Sequence, residues 1–312
     1  MVTDIIDLQT SDFLHSIHYP PTLQFKKKYM KNNGRLLPID HTSDKEFWHG
    51  FIDFYNQNLP ENILGTIIEF GVLKGNSIRW IEKKYSNAEI IGIDILPTQD
   101  SWPQSDKISY YKLDQGDEAD VIRFFETITN PELIIEDGSH IPSHQCRILR
   151  HGLNNLKPGG VYILEDIHTS HPAHSIYIKE YKSLKNIVKN IIRHKSLSRI
   201  IGERRRPIVT SLTLLFTFEQ ALKNGQDCLS EEQINLLSSG YEFSKNDVIH
   251  LFSMIDQIKL YRRAGFPSSC YSCGSKIYEY HKLQCVCGAK IYDQADSMSA
   301  LIKKKESPIM DN

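Results

Sequence analysis

The stretch Thr66–Gly75, with the sequence TIIEFGVLKG, carries the strongest local indication of the fold. Thr66–Phe70 is a short apolar run typical of a buried strand, and Gly71 and Gly75 flank a turn before a helix predicted over Ser77–Tyr85. Glycines in such a turn permit tight backbone geometry and the close approach of a ligand. A strand, a glycine turn and a helix in this order are typical of α/β domains that bind nucleotide-like ligands.

Short apolar runs and amphipathic stretches alternate after this turn. Further strands are predicted at Glu89–Ile95, Ile108–Leu113, Pro131–Glu136 and Val161–Leu164, and further helices at Ala119–Ile128 and Ser143–Leu156. The alternation predicts an α/β, Rossmann-like fold, in which a mostly parallel sheet has helices on both faces. Val248–Arg262 is rich in apolar residues around one polar break, and we interpret it as two closing antiparallel strands.

Composition fits an ordinary globular protein. The 312 residues are 40% hydrophobic and 24% charged, which argues against disorder. The formal net charge of −1 gives no global attraction to nucleic acid or membranes. The longest apolar stretch, around Leu212–Phe218, is too short for a membrane span, and the first residues lack the apolar core of a signal peptide. We therefore expect a cytoplasmic protein.

The chain divides into four predicted regions. Residues 1–62 form a mainly helical lead-in, and residues 63–266 form the α/β domain, with an insert at 171–247 that shapes an acceptor site. Residues 267–294 form a small cysteine-rich domain, and residues 295–312 a flexible tail. The basic stretch 179–206 is either a solvated face or a contact for an anionic substrate group.

Acidic residues after the second and third strands are candidates for ligand binding. Asp94 lies at the end of the second strand, at the distance from the glycine turn at which an acidic residue binds ribose hydroxyls. Asp114 and Gln115, after the third strand, would lie near an adenine, although they can also form a plain turn. A dehydrogenase is less favoured because the turn lacks the second closely spaced glycine of a pyrophosphate site.

Two successive strands end in acidic residues. Asp137 and His140 follow the fourth strand, and Glu165 and Asp166 follow the fifth. The carboxyl ends of parallel strands meet at one edge of a sheet, and three carboxylates there repel one another unless a cation neutralises them. Mg²⁺ suits carboxylates together with hydroxyl groups, and a nearby histidine can act as a general base. Each of these residues taken alone could instead be an ordinary loop residue.

Two stretches resemble the macrocin and mycinamicin sugar O-methyltransferases, and more distantly the cephalosporin-hydroxylase-type relatives with the same fold. They are IIEFGVLKGNSIRWIEKKYSNAEIIGIDI and LIIEDGSHIPSHQCRILRHGLNNLKPGGVYILEDIHTS, and the similarity covers about residues 64–170. The resemblance implies a methyltransferase fold and methyl transfer from S-adenosylmethionine to a sugar hydroxyl. The acceptor would be a glycan, a nucleotide sugar or a glycosylated natural product, and the protein would be a possible homo-oligomer.

The resemblance also implies roles for individual residues. Asp137, Glu165 and Asp166 match the family's Mg²⁺ ligands, and His140 matches its proposed base. The expected S-adenosylmethionine contacts are Glu69, Gly71, Ser77, Asp94 and Gln115, to which the turn adds Gly75 and the third strand's end adds Asp114. The family usually has Asp where this chain has Glu136, and the insert matches nothing in it. The alternatives are a degenerate, scaffold-type methyltransferase fold and a hydroxylase-like enzyme.

Four cysteines near the C-terminus form a separate motif. Cys270 and Cys273, and then Cys285 and Cys287, make two pairs, each followed by glycine. Two such pairs can supply four sulfur ligands to a tetrahedral, structural Zn²⁺, with a short hairpin between them. This zinc ribbon lies outside the sugar methyltransferase resemblance. We interpret the two remaining cysteines as packing residues, and they are Cys146 and Cys228.

Overall fold

The computed structural model describes residue 45 and residues 49–172, 174–182, 209–262, 270, 273–279, 284–289 and 298–306. Three predicted features therefore lie wholly or mostly outside the described residues. They are the start of the helical lead-in, the basic stretch beyond residue 182, and the last residues of the tail.

The described residues form nine strands and eight helices. The strands are β1 (Thr66–Phe70), β2 (Glu89–Asp94), β3 (Ile108–Lys112), β4 (Leu133–Glu136), β5 (Val161–Leu164), β6 (Ile255–Arg262), β7 (Tyr278–Glu279), β8 (Gln284–Cys285) and β9 (Met298–Lys304). The helices are α1 (Phe51–Asn58), α2 (Asn76–Lys84), α3 (Glu118–Thr127), α4 (Pro142–Asn155), the single turn α5 (Ser175–Tyr177), α6 (Ser211–Lys223), α7 (Glu231–Leu237) and α8 (Lys245–Met254). A 3₁₀ turn at Ile167–Ser170 follows β5, and a π turn at Ile178–Lys182 follows α5.

Seven strands form one sheet in the order β3-β2-β1-β4-β5-β9-β6. Strands β1 to β5 pair in parallel, and β9 runs antiparallel to both of its neighbours, β5 and β6. From β1 the chain continues through β2 to β3 at one edge of the sheet. It then crosses back to β4, which lies on the other side of β1. Ligands of open α/β sheets bind at such a switch point, beyond the carboxyl ends of the strands. The predicted α/β fold is confirmed.

The two faces of the sheet have separate apolar cores. Because strand side chains alternate between faces, Ile67 of β1 packs with α1 and α2, whereas Ile68 packs with α3, α4, α6 and α8. Both residues are completely buried. Helices on both faces shield most of β1, β2, β4 and β5 from water, which explains why these strands are mainly apolar, whereas the edge strand β3 is largely accessible to water. Among the described residues, no helix is long and apolar enough to cross a membrane.

Two expectations for the C-terminal part are wrong. Val248–Arg262 is not a pair of strands, because Ser244 and Asp247 form a capping box that starts α8, and only Ile255–Arg262 is extended. The residues beyond Gln294 are not wholly a loose tail either, because Met298–Lys304 forms β9 inside the sheet. The sheet thus continues past the predicted boundary at residue 266, and the cysteine-rich segment lies between two of its strands in sequence.

Candidate active site

The glycine turn after β1 is held by the strands beside it. Gly71 adopts a φ of 91°, and its N–H donates to the Ile93 carbonyl at 2.7 Å. A Cβ atom at Gly71 would lie 2.0 Å from the carbonyl oxygen of Asp137. Only glycine fits here, because both the left-handed backbone and the close approach of the β4 loop exclude a side chain. The turn is therefore in direct contact with the loop that carries Asp137.

Glu69 and Ser77 meet beneath this turn. The Ser77 hydroxyl donates to Glu69 Oε2 at 2.7 Å, and both side chains are buried. Ser77 does not cap α2, whose N-cap position is Gly75, with a φ of 72°. Burial raises the pKa of Glu69 from 4.5 to about 7, although the positive charge of Lys45 opposes the shift. A buried acid at this strand end can receive a hydrogen bond from a bound amino or hydroxyl group.

Asp94 fastens the turn to the end of β2. Its Oδ2 accepts hydrogen bonds from the N–H groups of Val72 at 3.0 Å and Leu73 at 3.1 Å. Its Oδ1 accepts from the Leu96 N–H, also at 3.0 Å. Oδ2 thus accepts two hydrogen bonds and Oδ1 only one, so Oδ1 still has a lone pair for a further donor. Asp94 thus shapes the loop and remains available to ligand hydroxyls.

A cavity of about 220 Å³ opens between the ends of β1, β2, β3 and β4. Its polar lining includes Asp94, Asp114, Gln115, Ser139 and His144, and apolar side chains complete the wall. Mainly apolar pockets with a few fixed polar groups are typical of cofactor sites. The cavity brings together three of the residues predicted to contact a nucleoside.

Gln115 connects the cavity to the β4 loop. Its Nε2 donates to Glu136 Oε1 at 2.8 Å, and its Oε1 accepts from the Ser139 N–H at 2.8 Å. Asp114, which is exposed, accepts from the Gly116 N–H at 2.7 Å and so forms a local turn as well as lining the cavity. Glu136 is fully buried, and this burial raises its pKa from 4.5 to about 7.

Asp137, His140 and Asp166 converge at the ends of β4 and β5. One ligand atom from each lies within 4.8 Å of the others. His140 Nε2 is 3.8 Å from Asp137 Oδ1 and 3.7 Å from Asp166 Oδ2. These separations exceed hydrogen-bond length, so the three side chains surround a space rather than bond to one another. His140 and Asp166 have φ values of 56° and 51°, a left-handed geometry that non-glycine residues adopt at a cost and that concentrates at functional sites.

Glu165 lies beside this cluster but turns toward a lysine that the sequence analysis did not identify. Lys45 Nζ donates to Glu165 Oε1 at 2.6 Å and to Asp137 Oδ2 at 2.5 Å, and it lies 3.7 Å from Glu69 Oε1. Tyr55 donates its hydroxyl to the same Glu165 oxygen at 2.6 Å. Glu165 is therefore a buried ion-pair partner of Lys45 in this structure. Asp137 both pairs with Lys45 and belongs to the cluster with His140 and Asp166.

The charges of these groups depend on one another. Burial alone would lower the pKa of Lys45, but the charges of Asp137, Glu165 and Glu69 outweigh it and raise that pKa well above its ordinary value. Burial also raises the pKa of Glu165 well above its ordinary range, and the Asp137 charge adds to this shift. A single buried ammonium therefore faces three carboxylates.

The donor set fits a hard divalent cation. Asp137 and Asp166 present carboxylate oxygens to a shared space, and carboxylates are the protein ligands that Mg²⁺ prefers. His140 Nδ1 is buried and has no hydrogen-bond partner among the described residues. Glu165 fits as a third ligand only if it leaves Lys45. The residues thus provide an oxygen-rich site with two ligands in place and a third close by.

Comparison with known structures confirms the class of fold. The chain has the Rossmann-like fold of methyltransferases and superposes on the MycE methyltransferase of the mycinamycin biosynthetic pathway, solved in complex with Mg, SAH and mycinamycin VI. That match has a TM-score of 0.50 and 17% identity, and it covers 94% of this chain and 55% of the other. A second structure of that protein, with Mg and SAH, gives a TM-score of 0.51 at 16% identity.

The sequence is similar to sugar O-methyltransferases of natural-product pathways. It is 28% identical over 144 residues to the 8-demethyl-8-α-L-rhamnosyl tetracenomycin-C 2′-O-methyltransferase of Streptomyces olivaceus, covering 43% of this chain and 38% of that protein. It is 26% identical over 134 residues to the mycinamicin VI 2″-O-methyltransferase of Micromonospora griseorubida, covering 40% of this chain and 33% of that protein. The chain thus matches well under half the length of these relatives. No protein-family model matches it.

Lys45 is the main functional candidate that the sequence analysis missed. A signal was present, because Lys45, His49, Ile52 and Tyr55 follow one another at helical spacing and all four are buried. A lysine on an otherwise inward-facing stripe of aromatic and apolar residues requires buried acidic partners. The sequence alone did not indicate which acids those were.

Proposed function

We propose that the protein is an S-adenosylmethionine- and Mg²⁺-dependent O-methyltransferase that acts on a sugar hydroxyl. The observation that carries the proposal is the Asp137–His140–Asp166 cluster beside the cavity at the ends of β1 to β4. In this arrangement a cofactor in the cavity and an acceptor over the cluster lie next to each other. The similarity to named sugar O-methyltransferases supports the same chemistry.

The cavity residues hold the cofactor in this proposal. Asp94 accepts hydrogen bonds from ribose hydroxyls, and Asp114 and Gln115 border the base. We place the amino-acid end near the buried pair Glu69 and Ser77, which lies beneath the glycine turn and outside the lining of the cavity. Gly71 and Gly75 keep the turn free of side chains so that the backbone approaches the ligand.

Asp137 and Asp166 would hold the metal. Glu165 would become a third ligand if its ion pair with Lys45 broke. When bound, Mg²⁺ lowers the pKa of an acceptor hydroxyl, and S-adenosylmethionine supplies the methyl group from its sulfonium. Lys45 keeps Glu165 and Asp137 in place before the cation binds, since the buried Glu165 and the partly buried Asp137 would otherwise repel each other.

His140 removes the acceptor proton. Mg²⁺ prefers oxygen over imidazole nitrogen, so His140 Nε2 remains free to accept a proton while the two aspartates hold the metal. The positive φ of His140 directs the ring into the space between Asp137 and Asp166, where an acceptor hydroxyl would lie. Base catalysis of this kind contributes about 10²–10⁴-fold in rate.

The acceptor is a sugar carried by a larger molecule. The relatives are named for rhamnosyl tetracenomycin and mycinamicin, both glycosylated natural products. We assign acceptor binding to the insert at 171–247, of which Ser175–Tyr177 and Ser211–Lys223 are described helical parts. Glycans and nucleotide sugars are the other acceptors to test.

The test is methyl transfer from isotopically labelled S-adenosylmethionine to a panel of glycosylated compounds, glycans and nucleotide sugars, followed by mass spectrometry. Activity should require Mg²⁺ and disappear in Asp137→Asn. His140→Asn should reduce kcat by about 10²–10⁴-fold, and asparagine tolerates the left-handed backbone. Calorimetry should detect S-adenosylmethionine binding to the wild type and to His140→Asn. Undiminished turnover in EDTA or in His140→Asn, or no cofactor binding, would contradict the proposal.

A further inference from the structure

The four cysteines near the C-terminus come together in space. Their sulfur atoms all lie within 4.8 Å of one another, with Cys270 Sγ 3.9 Å from Cys287 Sγ and Cys273 Sγ 3.5 Å from Cys285 Sγ. These separations are too long for a disulfide, whose sulfurs lie about 2.05 Å apart. They match a tetrahedron of thiolates, since four Zn–S bonds of about 2.3 Å place the sulfurs about 3.8 Å apart.

Two similar backbone turns, the second one residue shorter than the first, present these sulfurs. In the first turn, the Gly274 N–H donates to the Cys270 carbonyl at 2.7 Å, and the Cys270 N–H donates to the Ser275 carbonyl at 2.8 Å. The Ser275 N–H also donates to Cys273 Sγ. The glycine has a φ of 71°, which an L side chain rarely adopts.

The second turn has corresponding hydrogen bonds within a turn that is one residue shorter. The Gly288 N–H donates to the Cys285 carbonyl at 2.8 Å, and the Cys285 N–H donates to the Ala289 carbonyl at 2.8 Å. The Ala289 N–H donates to Cys287 Sγ, and Gly288 has a φ of 84°. Backbone N–H groups aimed at sulfur stabilise thiolates, which are the form that binds metal. Two similar turns that bring four sulfurs together are difficult to explain as ordinary packing.

The position of these turns along the chain indicates what a metal would do. Cys270 and Cys285 are buried, and the β7–β8 pairing, Tyr278 opposite Cys285, joins the two turns. The segment lies between β6 and β9, and β9 is an interior strand of the main sheet, with Ala300 opposite Leu164 of β5. A cross-link within this connection shortens the free chain that must close before β9 can pair.

We propose that Cys270, Cys273, Cys285 and Cys287 bind one structural Zn²⁺ that fastens the connection between β6 and β9. All four tetrahedral positions are filled by protein, so the site has no open position for catalysis. It differs from the carboxylate cluster in both ligand chemistry and role. Zinc binding supplies folding free energy to the connection and thereby helps to keep β9 paired in the sheet.

Metal analysis of the purified full-length protein tests the site without reference to methyl transfer. We expect one zinc per chain in the wild type and loss of zinc in Cys273→Ser/Cys287→Ser, which replaces one exposed cysteine from each turn. Cys228→Ser is the matched control and should keep its zinc. Cys228 is exposed and lies outside the cluster, so its interpretation as a packing residue is wrong, whereas Cys146 is buried as expected. Cobalt added to the metal-free wild type should give the absorption bands of a tetrahedral thiolate complex.

To keep the test independent of whether the double variant folds, zinc is also removed from the wild type with a zinc-selective chelator while excess Mg²⁺ is present. Hydrogen exchange of the β7, β8 and β9 amides should become faster, and restoring zinc should restore protection. Zinc-free wild type with four reactive thiols, iron in place of zinc, or zinc retained by the double variant would overturn the metal assignment. Unchanged exchange in β9 after zinc removal would overturn the fastening role.

Discussion

Two groups of side chains can each hold a cation: the acidic site, formed by Asp137, His140, Asp166 and the neighbouring Glu165, and the cysteine cluster. They differ in how far apart their residues lie in the sequence. The four cysteines lie within residues 270–287 and are presented by two short turns with corresponding hydrogen bonds. The acidic site combines Lys45 with carboxylates from three strands of the sheet, since Glu69 lies in β1, Asp137 follows β4 and Glu165 follows β5. One site is local in sequence and the other is assembled by the whole fold.

Their balance of charge differs as well. The carboxylates already face an ammonium group, because Lys45 contacts Asp137 and Glu165. In the cysteine cluster, the described contacts to the exposed sulfurs come from neutral backbone N–H groups. On the proposed roles, the acidic site would therefore fold before Mg²⁺ binds, whereas the cysteine site would depend on Zn²⁺ for its own structure.

Removing the ammonium is expected to give the largest effect on stability. Lys45→Met leaves buried carboxylates without their cation, which should destabilise the fold by about 3–5 kcal/mol. Lys83→Met, at an exposed position of α2, is the control and should change little. The measurement is urea unfolding with and without Mg²⁺, which should recover more stability in Lys45→Met than in the wild type because the cation replaces the lost charge. Equal losses in both variants would show that Lys45 is not the internal counter-ion.

Replacing one glycine with a positive φ at each site compares how tightly the backbone is packed in the glycine turn and in the cysteine cluster. Gly71→Ala combines a positive φ with a clash against the Asp137 carbonyl, and we expect a loss of about 2–4 kcal/mol together with weaker S-adenosylmethionine binding. Gly288→Ala also has a positive φ, but nothing lies within 4 Å of its added Cβ. It should cost only about 1–2 kcal/mol, confined to the cysteine-rich segment.

Thermal unfolding and calorimetric titration of both glycine variants measure these effects. Gly225→Ala, which has a φ of 71° and nothing near the added carbon, reports the backbone cost alone. If Gly71→Ala were no worse than Gly225→Ala, the two loops would not be in the close contact described here.

The sequence predicted those parts of the structure that depend on interactions between residues close together in the chain. The glycine turn, strands β1 to β5 and the cysteine motif each carry their signal within a few residues, and all were predicted. The strand β9 was missed because Met298–Lys304 runs into a lysine-rich end that suggested a loose tail, and because its burial depends on pairing with β5 and β6. The helix α8 was missed because its apolar richness suggested strands, although the Ser244–Asp247 capping box was visible in the sequence.

The candidate site was predictable only in part. Parallel strands bring their carboxyl ends together, so the convergence of Asp137, His140 and Asp166 follows from the predicted fold. The different environments of Glu165 and Asp166 do not, because they depend on where Lys45 and Tyr55 lie. Glu165 and Asp166 are adjacent and both acidic, so their different roles depend on contacts with residues that are distant in the sequence.

Glu136, the acid in place of the family's usual aspartate, should give the smallest effect, and one that depends on pH. Burial raises its pKa from 4.5 to about 7, so below pH 4.5 the carboxyl is protonated in both the folded and unfolded states. As the pH rises from 4.5 to 7, the unfolded chain releases the proton first, and stability falls through this range before levelling off. Glu136→Gln cannot ionise and should be more stable than the wild type by about 1–2 kcal/mol at pH 8, with the difference shrinking toward pH 4.5.

Urea unfolding across this pH range measures the difference, and Glu126→Gln, at an exposed position of α3, is the matched control. Parallel pH profiles for wild type and Glu136→Gln would mean that Glu136 ionises normally in the folded protein. Zinc content should be the same in Glu136→Gln and in the wild type at each pH, because the proposed zinc ligands are the four cysteines. A pH dependence of stability that is lost in Glu136→Gln, with zinc content equal to that of the wild type, would therefore separate the two proposed cation sites.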